Sequence, residues 1–357
     1  MVTGIPAAEV ALISDRNKMV DLRLAREGHR PKRLSRHSLN DMNNAEKHLV
    51  IECQTAWDKQ DQDHPGVVVL RDLENKGTKM LESYGYSLVY LLAGFLLLVV
   101  AKFLYIKLYR KVDLNAELFG NNNTALAVSL CGYLLAICIA LGGAISGPGT
   151  GILADLGQIV LWGPITIIVM LVAGYVCEKI LLPGFDNTKE VVIDKNLGTA
   201  SVEFGVHIAN ALVLLSIIQS QGPPHSAMLF WILAQIVFII AAKIYEILTP
   251  YSIHDELERD NTAVGVALAG VFIGLGNIVS ISVNGDFVGW IEDLTTFGTN
   301  IIFGFLVLFV VKQLTSLMLA SGNLLHEKQV GDPPNVGAGL LEALGYVGGS
   351  LLIVWAL

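Results

Sequence analysis

The sequence is poor in charge: 16% of its 357 residues are Asp, Glu, Lys or Arg, while 53% are hydrophobic. A soluble domain has no use for so much apolar surface, so a chain that lives in a bilayer is implied. Cysteine is scarce as well. Cys53, Cys131, Cys138 and Cys177 never stand in a C-x-x-C spacing, and the last three fall inside apolar runs, which argues for small buried hydrophobes over zinc ligands or disulfides. The apolar runs carry no H-E-x-x-H, no G-x-S-x-G and no paired catalytic aspartates, so an enzyme is not expected, nor a cofactor. Gly147-Pro148-Gly149-Thr150-Gly151 lacks the Gly-Lys-[Ser/Thr] ending of a phosphate loop and reads as a turn. A basic face is missing too: residues 83–357 hold 11 basic and 19 acidic side chains, which speaks against nucleic acid as a partner.

What is present begins with a polar stretch. Residues 1–82 hold 13 basic and 13 acidic side chains, with Arg16, Lys18, Arg23, Arg26, Arg30, Lys32, Arg33 and Arg36 in one run and no signal-peptide core. This extension reads either as a disordered tail or as a segment that lies on anionic lipid or an acidic partner. A translation start at Met80 is a third reading, because Met80-Leu81-Glu82-Ser83 leads straight into the first apolar run.

Eight apolar runs come next, approximately Tyr86–Tyr109, Thr124–Ile145, Gly157–Leu182, Leu197–Ile218, Ala227–Leu248, Thr262–Val283, Leu294–Leu319 and Val336–Trp355. Each is near the roughly 20 residues that a helix needs to cross hydrocarbon, and each is continuously apolar, as a helix is and a barrel strand is not. The runs repeat. Asn123-Thr124-Ala125-Leu126-Ala127-Val128-Ser129-Leu130-Cys131-Gly132 returns as Asn261-Thr262-Ala263-Val264-Gly265-Val266-Ala267-Leu268-Ala269-Gly270, identical at six of ten positions. Ala101-Lys102 is echoed by Ala242-Lys243, Asn196-x-Gly198 by Asn335-x-Gly337, and Glu203 by Glu342. The expected fold is therefore all-α: a polytopic membrane bundle of eight transmembrane helices, built as two four-helix repeats over residues 83–222 and 223–357. An even number of spans per copy makes the repeats parallel, related by a pseudo-twofold along the membrane normal.

Lys111, Lys189, Lys195, Arg259 and Lys328 lie in loops after odd-numbered spans, whereas loops after even-numbered spans hold no Lys or Arg. The positive-inside rule puts the odd loops in the cytoplasm and both termini outside. The basic N-terminal stretch argues the opposite orientation.

A first span ending in basic residues, then Asn121-Asn122-Asn123-Thr124-Ala125 opening a glycine-containing second span, resembles domain-of-unknown-function family 350, the YjfL-like bacterial inner-membrane proteins. Asn196-x-Gly198-x-Ala200 fits a second, weaker signature. The resemblance covers nearly all of residues 83–357 as two tandem copies. It implies a four-span unit in a bacterial cytoplasmic membrane and no established activity.

Ionisable side chains inside a span cost about 2.5 to 3.5 kcal/mol on insertion scales, so those present should face partners or water. Lys102 and Glu203 lie at matching depth from the odd-loop side, as do Lys243 and Glu342, and a Lys/Glu couple per copy, or crossed between copies, is expected. Asn123, Thr124, Asn261 and Thr262 enter at the same face and are placed to complete each cluster. Glu203, His207 and Asn210 share a helix face, the arrangement of a proton relay. One Glu and one His on a single helix fall short of a transition-metal ligand set, and no metal site is expected. Lys312 corresponds to Gly174 in the other copy and is not shared. Gly270-x-x-x-Gly274 and the Gly345/Gly348/Gly349 cluster let helices approach closely, within the bundle by default and alternatively across a homo-oligomer contact. Two functions compete. One is permeation of an ion, proton or small charged solute along a polar route between the repeats. The other is a non-catalytic membrane scaffold or membrane-stress module that binds a cytosolic partner through its loops or tail.

Overall fold

The computed structural model describes residues 65–108, 113–146, 151–182, 186, 188–220, 222–320 and 325–356. The basic run, Cys53 and most of the glycine-rich turn lie outside the described residues. The chain divides into two units, Met1–Tyr86 and Ser87–Leu357, and the helical bundle with its buried polar groups belongs to the second.

Among the described residues every regular element is helical. The eight long helices are α1 (Pro65–Leu108), α2 (Thr124–Ser146), α3 (Ile152–Val176), α4 (Leu197–Gln219), α5 (Pro224–Leu248), α6 (Thr262–Ser282), α7 (Trp290–Leu314) and α8 (Val336–Ala356). Each contains a stretch long and apolar enough to span a membrane. The third and seventh stretches start at Ile152 and Trp290, earlier than hydropathy suggests, because Asp155 and Asp293 are carried in their first turns. An acid there faces the positive end of the helix dipole.

The four even helices form the core. They stand in a row, α2 against α4, α4 against α6, and α6 against α8, and all four begin on the odd-loop side. The central pair is the most enclosed, with 78% of the apolar stretch buried in both α4 and α6, against 11% in α1. Absent side chains make the central contact. A Cβ added at Gly265 would fall 2.2 Å from the Gly198 carbonyl oxygen, and one at Gly205 would fall 2.7 Å from Ala269 Cβ. In lipid, where water drives no association, such backbone approach supplies the packing energy. The glycines singled out for packing also work inside the chain: Gly270 faces Ala343, Gly274 faces Tyr346, Gly345 faces Thr315 and Gly349 faces Val311.

The repeats are parallel, but the relation between them is not a closed twofold. A twofold that set α4 against α6 would set α8 against α2 in the same way. Instead Leu344 of α8 is 57% exposed, and Cys131 and Cys138 of α2 are exposed, so the row has two free ends. The expectation of buried cysteines holds for Cys177 and is corrected for Cys131 and Cys138, which lie on the side of α2 turned away from α4 and α3.

An asparagine starts each inner helix. The Oδ1 atoms of Asn123, Asn196, Asn261 and Asn335 accept from backbone amides two or three residues on, satisfying donors that have no carbonyl within the helix. Three of the four also reach sideways. Asn123 Nδ2 donates to the Val191 and Val192 carbonyls, Asn196 Nδ2 to that of Leu257, and Asn261 Nδ2 to that of Gln329. Each of these three helices, α2, α4 and α6, is thereby tied to the odd loop that precedes the next inner helix.

Candidate functional site: two buried carboxylates

Glu203 on α4 and Glu342 on α8 are 3% and 1% exposed, each about two turns from the start of its helix, hence about 10 Å deep. A carboxylate at that depth requires donors. In the first copy Ser129 of α2 donates its hydroxyl to Glu203, and Ser129 Oγ lies 2.9 Å from the hydroxyl of Tyr105 on α1. One turn along α4, His207 is buried, with its ring 5.7 Å from that of Tyr133, which in turn lies 5.1 Å from the Tyr105 ring. Nδ1 of His207 is buried and has no hydrogen-bond partner among the described residues. One turn further, Asn210 Oδ1 accepts from Trp231 Nε1 at 3.0 Å and from Gln235 Nε2 at 2.7 Å, both on α5. The expected face of Glu203, His207 and Asn210 is thus present, and it looks into the protein.

The second copy is built differently. Tyr245 of α5 donates to Glu342 Oε1 at 3.2 Å, and Gln329 donates through Nε2 to Oε2. Lys312 Nζ of α7 lies 3.9 Å from Oε1 and sits over the Tyr245 ring at 5.2 Å, while His326 Nδ1 lies 3.8 Å from Oε2. Tyr251 donates to Gln329 Oε1 at 2.7 Å, and burial followed by the charge of Glu342 pushes its phenol above the usual range. Burial and the neighbouring Lys312 ammonium hold the His326 imidazole below its ordinary value, against the opposite pull of Glu342.

The expected lysines are not the ones used. Lys243 is exposed on α5 and pairs with Glu246 at 2.9 Å, so it does not meet Glu342. Lys102 is half-buried and has no ion pair within 4 Å among the described residues. The reason is register. Ala101 and Ala241 are the buried positions, each followed four residues later by a buried tyrosine, Tyr105 and Tyr245, so the structural equivalence runs at an offset of 140, one residue from the Ala-Lys echo. Lys312, which has no counterpart in the first copy, is the cation that reaches Glu342. The other side chains missed were Tyr105, Ser129, Tyr133, Tyr245, His326 and Gln329. The two tyrosines had a signal, the Ala-x-x-x-Tyr spacing in both copies.

Asn123 and Asn261 are buried and serve as caps instead of joining the carboxylates directly; Asn261 is linked to Glu342 only through Gln329. Thr124 is exposed and Thr262 half-buried at the helix starts, and neither reaches a carboxylate. Among the described residues no three of His, Cys, Asp and Glu are grouped to hold a metal ion.

The family described as Domain of Unknown Function (DUF350) matches residues 79–218 and again 219–357. The chain belongs to this family, in two tandem copies. A curated relative, a UPF0719 transmembrane protein of Aquifex aeolicus (strain VF5), is 23% identical over 210 residues, covering 56% of this chain and 75% of that protein. No solved structure matches. Family membership and the eight spanning helices together make this a multi-pass membrane protein. Each matched segment holds one of the two carboxylates buried within spanning helices, Glu203 and Glu342.

Proposed function

We propose that the protein moves protons, alone or coupled to a small charged solute, along the polar groups inside its first repeat. The carrying observation is the ladder Glu203, His207 and Asn210 on the buried face of α4, flanked by the Tyr105 and Ser129 hydroxyls, with a buried His207 nitrogen that no group among the described residues satisfies. Buried polar groups are nearly always paired, and of the four unpaired atoms among the described residues, Thr166 Oγ1, Thr199 Oγ1, His207 Nδ1 and His326 Nδ1, that of His207 is the ionisable one within a spanning helix. Glu203 and His207 are the two proton-carrying groups of this face and stand one helical turn apart on it. The rise from Glu203 to Asn210 is about 10 Å, a third of the hydrocarbon thickness.

A wide route between the repeats fits poorly, since α4 and α6 meet backbone to backbone at Gly198 and Gly265. The path we favour runs along α4 of the first copy, between α2 of the same copy and α5 of the second, whose Trp231 and Gln235 donate to Asn210. With the odd loops in the cytoplasm, Glu203 is the group nearer the cytoplasm and Asn210 the deeper one. The setting we infer is a bacterial cytoplasmic membrane.

One observation favours the second reading, a membrane scaffold. Lys312, His326, Gln329 and Tyr245 surround Glu342 as a buried pair does when it fixes helix register. We assign that role to the second copy alone. The test is proton flux into liposomes holding the purified protein, driven by a potassium diffusion potential. Glu203→Gln should abolish the flux while leaving the protein folded, and unchanged flux in a folded Glu203→Gln protein would remove the proposal.

A further inference from the structure

We infer that the protein binds a small monovalent cation, such as sodium or ammonium, in a cavity at the even-loop end of the bundle, enclosed by α4, α5, α6 and α7. This cation is the small charged solute of the function proposed above, a role that rests on that reading; the site itself rests on its own geometry.

The cavity measures about 70 Å³, room for a few waters or one small, partly hydrated cation. Its serines offer acceptors. Ser220, Ser226 and Ser282 line it, and each donates its hydroxyl to a backbone carbonyl three or four residues back, those of Ile217, Pro223 and Ile278, so what the oxygens have left is lone pairs. Ser226 and Ser282 are 5% and 7% exposed. Asp293 and Asp286 bring carboxylates, the first half-buried and the second exposed. None of the described residues that line the cavity is Lys, Arg or His. Hydroxyl and carboxylate oxygens without a cationic neighbour suit a hard cation of low charge, whereas calcium asks for more carboxylates than one half-buried acid and one exposed acid supply.

The first copy is built otherwise at the matching place. There Tyr90 of α1 donates its hydroxyl to Asp155, the residue that matches Asp293. Tyr90 itself matches Phe230, which lines the cavity and has no hydroxyl to give, so among the described residues the Asp293 carboxylate accepts from the Gly289 amide alone, at 3.3 Å. Ser282 in turn stands where the first copy has Ala144. The Phe230 ring is held by Phe297, one turn after Asp293, with 5.7 Å between ring centroids. A phenol that satisfies the carboxylate in one copy is thus a hydrocarbon ring in the other, and a part-buried anion beside a cavity calls for a counter-charge. The cavity also adjoins the proposed route. Ile217 lines it about 10 Å along α4 from Asn210, and Ala227 lines it one turn before Trp231, whose indole donates to Asn210.

Binding is measured on the purified protein in nanodiscs of zwitterionic lipid, by isothermal titration calorimetry and by unfolding temperature, with sodium, potassium and ammonium chlorides against N-methylglucamine chloride at constant ionic strength. Saturable binding and a raised unfolding temperature are expected for at least one small cation and not for N-methylglucamine, which is too large for the cavity. Phe230→Tyr rebuilds the first copy's phenol beside Asp293 without changing the charge, and Asp293→Asn removes the charge; each should weaken binding about tenfold or more. Should Asp293→Asn fail to accumulate, Ser282→Ala takes its place, installing the residue that the first copy has there, with a smaller loss expected. Weakening by either variant supports the site. No saturable binding to the unaltered chain, or binding that both variants leave unchanged, would overturn the inference. Because binding is read without flux, an unused cavity and a failed proton route are separate results.

Discussion

The two repeats place a carboxylate at one depth on equivalent helices and then surround it with different chemistry. Around Glu342 are a lysine, a histidine, a glutamine and a tyrosine; the position of Lys312 is Gly174 in the first copy, and there the carboxylate takes the Ser129 hydroxyl, with His207 one turn away. Duplication thus kept the acid and changed its surroundings, and on the function proposed above it divided the acid's duties. A compensated pair is a staple, whose loss is felt in folding, while an acid among hydroxyls beside a titratable ring can change protonation without dismantling the bundle.

The largest effect expected from this contrast is on stability. Lys312→Met leaves Glu342 buried without its ammonium and should cost about 3 to 5 kcal/mol, seen as lost membrane protein or a lowered unfolding temperature in detergent. Lys312→Met with Glu342→Gln should recover most of that loss; no recovery would mean that the pair is not the staple. Next in size is the single-residue contrast. Glu342→Gln strands the lysine and should lower protein level, whereas Glu203→Gln should leave the level unchanged. Equal losses from both would erase the distinction between the copies.

A smaller effect separates the helix caps. Asn196→Ala removes a cap whose amide also bonds Glu190 and the Leu257 carbonyl, and should cost more than about 1 kcal/mol; Asn335→Ala, at an exposed cap, should cost less. Thermal unfolding of the two variants side by side measures it. The smallest effect is on pH. His326 is held neutral below its ordinary range, so the unfolded chain binds its proton first as pH falls through about 6.5, and the stability it contributes, present above that value, is lost on acidification. His326→Gln should flatten the decline of unfolding temperature between neutral and mildly acid pH.

Hydropathy and the internal repeat make the eight spans, their parallel order and the asparagine starts legible from the amino acids alone, because each depends on local chemistry. Glu203, His207 and Glu342 are legible too, since an ionisable group in a long apolar run stands out. The partners are not. Choosing Lys243 over Lys312 followed a residue-pair echo that lies one position off the structural register, and one residue turns a helix by about 100°, enough to take a side chain from core to lipid. The exposure of Cys131 and Cys138 was hidden for a related reason: α2 is apolar all round, so its sequence does not say which side meets a neighbour.

Proton flux through reconstituted liposomes, compared among the unaltered chain, Glu203→Gln and His207→Gln at equal protein content, bears most directly on the division of labour between the copies. Robust flux is expected for the first and background for both variants. Flux that survives both substitutions, or is absent from the unaltered chain, would contradict a proton route through the first repeat.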